Sequence, residues 1–328
     1  MKNHFLTLAA LCSLICIGCG GKIPSDPTEA FPDPIFCEYV LDNFDTNGDG
    51  KISKEEALAV TEIVVMGSYY DRESRSIKSL EGIQYFTNLI GLNCPYNKLM
   101  SLDVSKNTKL EWLECSDNQL TTLDVSKNTE LTELFCDNNR LRTLNVNTKL
   151  IKLICGSNQL KTLDVSKNTK LKGLGCYGNQ LTTLDISKNT ELRGLSCNNN
   201  QLTTLDVSKN TELTELECDY NQLRALDVSK NAKLEWLECG NNKLRALDVS
   251  KNTKLNWLCC PNNKIEELDL SKTNLNHKSN SDTGFIGAPM GTLKKVYLKK
   301  GWSIKGVTED WNRSSKYIPD HTKIIFVD

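Results

Sequence analysis

Apolar positions recur along most of this chain with a period that one helix or one strand would not give. From Leu110 they fall at Leu113, Cys115, Leu120, Leu123 and Val125, and the set returns at Leu131, Leu134, Cys136, Leu141, Leu144 and Val146. Cys94, Cys115, Cys136, Cys155, Cys176, Cys197, Cys218, Cys239 and Cys260 mark nine units. Each lies 21 residues from the last, save the step from Cys136 to Cys155, which is 19. A short fixed period signals one supersecondary unit stacked on copies of itself. In Leu113-Glu114-Cys115 the alternation is that of a strand, leucine and cysteine to one face and glutamate to the other. Stacked in register, the copies predict a parallel sheet backed by continuous leucine and cysteine.

A second column follows three residues after each cysteine: Asn97, Asn118, Asn139, Asn158, Asn179, Asn200, Asn221, Asn242 and Asn263. A buried amide offers two donors and an acceptor, so these asparagines are expected to satisfy backbone groups where the chain leaves the strand. In-register Cβ atoms on neighbouring strands lie about 4.8 Å apart, whereas a disulfide wants about 3.8 Å. Nine is also odd. The ladder therefore reads as packed thiols, with disulfides or metal ligation as alternatives. Cys259 takes an outward place and is expected to be an accessible thiol. The two-residue deletion over 144–150 is expected to disturb the convex side and spare the sheet.

The repeat, Leu-x-x-Leu-x-Cys-x-x-Asn-x-Leu-x-x-Leu-Asp-Val-Ser-Lys-Asn-Thr-x, resembles the leucine-rich repeat family over residues 77 to about 276. Its cysteine and its period resemble the cysteine-ladder repeats of internalin J and related bacterial surface proteins. The resemblance implies an α/β solenoid, a horseshoe with a concave parallel sheet, serving protein binding or adhesion without catalysis. It is expected to span nine units over 89–276, after a degenerate cap over 67–88 and before a small β cap over 277–328. In that tail 295–298 and 323–327 read as strands; a separate binding domain is the alternative.

Ahead of the repeats, residues 45–56 carry the spacing of a twelve-residue calcium loop. Asp45, Asn47 and Asp49 supply side-chain oxygens, Gly50 permits the turn, and Lys51 offers its carbonyl. Ser53 acts through a water and Glu56 closes the site. The flanks 36–44 and 55–64 read as amphipathic helices, giving an EF-hand over 35–66. The loop is single, so Ca²⁺ is read as structural; an acidic turn without metal is the alternative.

Residues 1–18 read as a secretory signal: Lys2, an apolar run from Phe5 to Ile17, then Gly18 before Cys19. The run is too short to span a bilayer. Cys16-Ile17-Gly18-Cys19 resembles a lipoprotein cleavage box, which makes Cys19 the lipidation candidate; an ordinary cleaved signal is the alternative. Residues 19–34, with four prolines, read as a tether. These features imply a lipid-anchored protein of the bacterial cell envelope, at the outer membrane or cell surface.

The 40 basic and 41 acidic residues leave a formal charge of −1. That argues against nucleic acid, which asks for a net basic face. No zinc-protease helix, nucleophile elbow or phosphate loop is present in the sequence, and an open sheet offers no cleft for a carboxylate pair. The expectation is a monomer that is not an enzyme.

The ligand candidates are the concave positions beside the second leucine and just after the cysteine. One end offers Trp112, Glu114, Glu133 and Phe135. The other offers Glu215, Glu217, Tyr220, Trp236, Glu238 and Trp257, and the centre between is small and neutral. Tryptophan and tyrosine beside carboxylates are typical of binding hot spots. A protein ligand is the first expectation, a glycan stacked on the aromatics the second, and drift among solvated positions the bland one.

Overall fold

The computed structural model describes residues 22–68, 76–275, 285–287, 292–301 and 322–327. The proposed signal, Cys19 and most of the tail lie outside them.

Each unit contributes a three-residue strand, and the strands pair in parallel without a slip. Among the described residues, eleven strands make one sheet, beginning with Glu62–Val64 and Gly91–Asn93 and ending with Trp257–Cys259 and Phe285–Gly287. Trp112, Leu113 and Glu114 stand opposite Glu133, Leu134 and Phe135, and the same pairing repeats down the array. The ladder continues past each strand, as Cys115 N–H donates to Phe135 O at 2.9 Å and Asp117 N–H to Asp137 O at 3.0 Å. The leucine and cysteine of every unit are buried in one continuous core that runs from Ala30 to Leu298. Burying one leucine side chain contributes about 1.5–3 kcal/mol, so the stacked leucines supply most of the driving force.

Two asparagine ladders tie the coils. In the first, Asn118 Nδ2 donates to Cys94 O (3.0 Å) and Cys115 O (3.1 Å), while its Oδ1 accepts from Leu99 N–H (3.0 Å). The second lies in the Ser-Lys-Asn segments, which the sequence presents as polar and convex. Asn128 there is fully buried and donates to Val104 O and Asn107 O, both at 2.9 Å. The aspartates of the same segments turn the chain, Asp185 Oδ1 accepting from Ser187 N–H at 2.9 Å.

The shortened unit behaves as its length predicts. Strands 133–135 and 152–154 keep full register. On the convex side Leu123–Asp124 and Leu144–Asn145 pair as a small sheet of their own. Leu144 and Val146 rise to half-buried, and Asn147 shifts its donations to Asn128 O and Leu131 O.

Two expectations need correction. The stretch 19–34 is not tether throughout. Helix Pro27–Ala30 leads into Phe31, which is buried against Phe36, Tyr85 and Phe86 at ring distances of 5.8, 6.1 and 5.9 Å. Asp33 caps helix Pro34–Phe44 and also accepts from Lys78 N–H at 2.7 Å. The helix expected over 55–64 is only Lys54–Ala59. The run from Val60 is β-branched, which suits a pleated, half-buried surface, and Glu62–Val64 becomes the first strand of the sheet. The cap therefore begins before residue 67. In the tail, the strands expected at 295–298 and 323–327 are present as Lys295–Lys299 and Lys323–Val327, and its described strands keep the parallel pairing of the solenoid. Phe285–Gly287 pairs with Trp257–Cys259, and Glu267–Asp269, Lys295–Lys299 and Lys323–Val327 form a parallel trio.

Candidate functional site

Two places hold the candidate side chains: the loop 45–56 and the concave face of the sheet.

In the loop, Gly48 and Gly50 take left-handed φ values of 71° and 75°. Asp45 Oδ1 accepts from Gly48 N–H at 2.8 Å and Asp49 N–H at 3.2 Å, and its Oδ2 accepts from Gly50 N–H at 2.7 Å. Asn47 Oδ1 also accepts from Asp49 N–H, at 2.8 Å, so the Asp45 and Asn47 oxygens meet at one amide. Asp49 Oδ1 accepts from Lys51 N–H at 3.0 Å. Glu56 is otherwise engaged. Its Oε1 accepts from Thr46 N–H and Oγ1, both at 2.8 Å, and its Oε2 from Ser53 N–H at 2.9 Å and Ser53 Oγ at 2.8 Å. The Ser53 bonds, then those from Thr46, hold its carboxyl down at about 2. The oxygen-rich donor set suits calcium in kind. Yet among the described residues no three acidic, histidine or cysteine side chains gather as a metal cluster. A bound ion would require Glu56 to give up bonds to Ser53 and Thr46.

The concave face is set by the strand alternation. Residues on either side of the buried leucine project from the sheet, as expected, but the tryptophans are half-buried rather than fully exposed. Two aromatics lie against glycines of the preceding coil. A Cβ on Gly91 would stand 2.4 Å from the Trp112 ring, and one on Gly156 would stand 2.4 Å from Tyr177. Trp236 and Trp257, paired in register, stack face to face at 4.0 Å and 5°.

The two acidic ends differ in how their charges are met. At the first, Glu114 accepts from Ser116 N–H at 2.9 Å, Asp137 Oδ2 accepts from Tyr177 Oη at 3.3 Å and Asn138 Nδ2 at 3.2 Å, and Lys152 Nζ lies 4.9 Å from the Phe135 ring centre. Burial raises the Glu114 and Asp137 carboxyls, and burial with Asp137 nearby pushes Tyr177 up to about 12. At the second end, Glu217 and Glu238 are register partners. Glu238 Oε1 accepts from Trp257 Nε1 at 3.1 Å, and Glu217 Oε2 from Ser196 Oγ at 2.8 Å. Asp219 Oδ1 is buried without a hydrogen-bond partner. Burial, then Glu238 and Glu217, push Asp219 up to about 6. Glu133 and Glu215 project into solvent.

One device was missed in the sequence. The second residue after every cysteine has positive φ: Tyr96, Asp117, Asn138, Ser157, Gly178, Asn199, Tyr220, Asn241 and Asn262. Asparagine, aspartate and glycine visit this region readily, and their frequency in the column was the available signal. Tyr220 does not suit it, yet it sits there at φ 50° and 55% exposed, beside the acidic end. Cys259 corrects another expectation. It is half-buried, and burial followed by Glu238 and Asp219 pushes its thiol up to about 12, away from the thiolate that reacts.

No family model matches the chain. Internalin J of Listeria monocytogenes serotype 4b (strain F2365) is 40% identical over 78 residues, which is 24% of this chain and 8% of that protein. Among solved structures, the functional domain of InlJ from Listeria monocytogenes, which includes a cysteine ladder, matches with a TM-score of 0.71 at 34% identity. The match covers 84% of this chain and 57% of that one. An internalin, InlF, from the same organism matches with a TM-score of 0.47 at 20% identity, over 93% of each chain. The chain thus spans a little over half of the InlJ domain and a small part of the whole protein. It has an internalin-like leucine-rich repeat fold, a parallel-sheet solenoid of about 21-residue coils.

Proposed function

We propose that this protein is a non-enzymatic lipoprotein of the bacterial cell envelope, anchored through Cys19, that binds a protein partner on the concave face of its solenoid. The observation carrying the reading is the division of labour within each coil. Leucine, cysteine and asparagine are spent on the core and the ladders, while the outward strand positions collect Trp112, Phe135, Trp236 and Trp257 beside carboxylates. Nothing in the fold uses those carboxylates as a core, and half-buried aromatics among them are typical of interface anchors. The Trp112 ring over Gly91 also makes a flat platform on which a sugar would stack, so a glycan is the second reading.

The test is a screen of the mature chain against immobilised proteins and glycans, alongside a variant with Trp112, Trp236 and Trp257 replaced by alanine. A protein hit lost in the variant supports the reading; a glycan hit lost in the variant transfers it to the second. A hit that the variant retains removes the concave face from the function.

The loop 45–56 is assigned a calcium ion held by Asp45, Asn47, Asp49, the Lys51 carbonyl, Ser53 and Glu56. When bound, the ion supplies a fixed charge that ties the two cap helices together. Extracellular calcium modules bind at about 10⁻⁴–10⁻³ M, and a ligand that binds only the folded state raises its stability. Calcium at about 5 mM, above that range, is therefore expected to raise the melting temperature and give a calorimetric binding isotherm. Both effects should vanish in Asp45→Asn with Asp49→Asn. An unchanged melting temperature and no heat would overturn the assignment.

A further inference from the structure

The two acidic ends of the concave face are alike in composition and unlike in their electrostatics, and the difference selects one of them. At the first end the carboxylates already have partners: Ser116 for Glu114, Tyr177 and Asn138 for Asp137, with Lys152 over the neighbouring ring. At the second, Glu217 and Glu238 accept from Ser196 and Trp257, but they sit side by side on adjacent strands, about 4.8 Å apart in backbone spacing. Asp219 follows two residues on, with one oxygen buried and unpartnered. Like charges at that spacing oppose one another, and partial burial makes the repulsion worse.

The positions projecting from strands 215–217, 236–238 and 257–259, and from the turns that follow, hold no lysine or arginine. Titratable groups facing the cluster are Glu215, Glu217, Asp219, Tyr220, Glu238 and Cys259. The bases nearest in sequence, Arg224, Lys233, Lys243, Lys254 and Lys264, stand outside these strands and turns; Lys233 pairs with Glu212, and Lys243 Nζ donates to Gln222. The tryptophans narrow the chemistry further. Trp236 and Trp257 cover each other's faces at 4.0 Å, so a sugar ring finds no open platform between them. Carboxylates stand beside the pair, Glu238 accepting from Trp257 Nε1, and a carboxylate surface favours a cationic partner.

We propose that the concave surface over residues 215–259 docks a lysine- or arginine-bearing segment of a protein partner, seating one cationic side chain among Glu217, Asp219 and Glu238. The inference rests on the concave-face reading above and names the chemistry of its partner. A guanidinium suits the site best, since its flat fork donates to two carboxylates at once and packs against an aromatic. The seated cation relieves the mutual repulsion of the three acids and gives the buried Asp219 oxygen a donor.

The test uses the mature chain and a fluorescent nona-arginine peptide, followed by anisotropy at low salt. Two triple variants remove equal charge: Glu217→Gln, Asp219→Asn, Glu238→Gln at the second end, and Glu114→Gln, Asp117→Asn, Asp137→Asn at the first. The second-end triple is expected to weaken binding about tenfold or more, and the first-end triple by less than about twofold, because the first end already has the Lys152 cation beside it while the second leaves an Asp219 oxygen without a donor. Circular dichroism checks that both remain folded. Binding to the unaltered protein should fall between pH 7 and 5 as Asp219 gains its proton near 6, and that step should be absent from the second-end triple. Equal weakening in the two triples, or none in the second, overturns the inference. The parent reading is separated by the partner found in the screen. If the tryptophan variant loses that partner and the second-end triple keeps it, the concave face stands and the cation site falls.

Discussion

Phe31→Ala is expected to cost about 3–5 kcal/mol, the range for truncating a buried phenylalanine, and to free the cap from the repeats. Phe31 is 1% exposed and touches three rings, Phe36, Tyr85 and Phe86. Gly82 has no side chain at the point of closest approach, where a Cβ would stand 2.3 Å from the Phe31 ring. The phenyl group is the bolt between helix Pro34–Phe44 and the segment carrying Ile83 and Phe86. Its loss opens a cavity at the end of the solenoid, where no further coil can close over it. Limited proteolysis should then cut the variant within residues 22–60 before the repeats are touched, and calorimetry should show a separate low-temperature step. Behaviour indistinguishable from the unaltered protein would mean that 19–34 is tether after all.

Asn200→Ala is expected to cost about 2–4 kcal/mol. The side chain donates to Cys176 O, Cys197 O and Asn198 O and accepts from Leu181 N–H at 3.0 Å. Each cysteine carbonyl keeps a bond from the neighbouring asparagine, Asn179 or Asn221. The Leu181 amide has no such reserve, and a buried unpaired donor costs about 1–3 kcal/mol. The rest comes from the lost bonds and the void. Asn200→Asp should be worse at neutral pH, since it keeps the acceptor but turns a charged oxygen toward carbonyls. Gln201→Ala, one residue on and exposed, should stay within about 0.5 kcal/mol. In a quasi-one-dimensional array a central defect uncouples the halves, so urea unfolding of Asn200→Ala should broaden or split. A single unshifted transition would contradict the ladder's structural role.

The repeat region was legible because its signals are periodic: Leu113 and Cys115 could be placed inward by alternation alone, and Asn118 by its column. The second asparagine ladder was not, because Asn128 lies between Lys127 and Thr129 in a segment that looks solvated. Only the closed coil shows that its amide turns under the chain to reach Val104 O. The cap failed for the opposite reason. Phe31 among prolines has no period to reveal it, and the helix starting at Lys54 ends early because strand 91–93 offers Glu62–Val64 a partner far along the chain. At the candidate site, the concave positions follow from the frame, whereas the stacking of Trp236 on Trp257 and the unmet charge at Asp219 depend on neighbours 21 residues apart.

The strand register shared by every coil has a consequence for the distances this molecule presents. Trp112 and Trp236 lie six strand steps apart in the sheet, roughly 29 Å at about 4.8 Å per step. A coil duplicated between them would find the same carbonyls and amides waiting on both sides, and it would move one end from the other by one step without altering either. The array is therefore a ruler with interchangeable divisions, and copy number, rather than substitution, is the simplest variable by which descendants of this gene would match partners of different span.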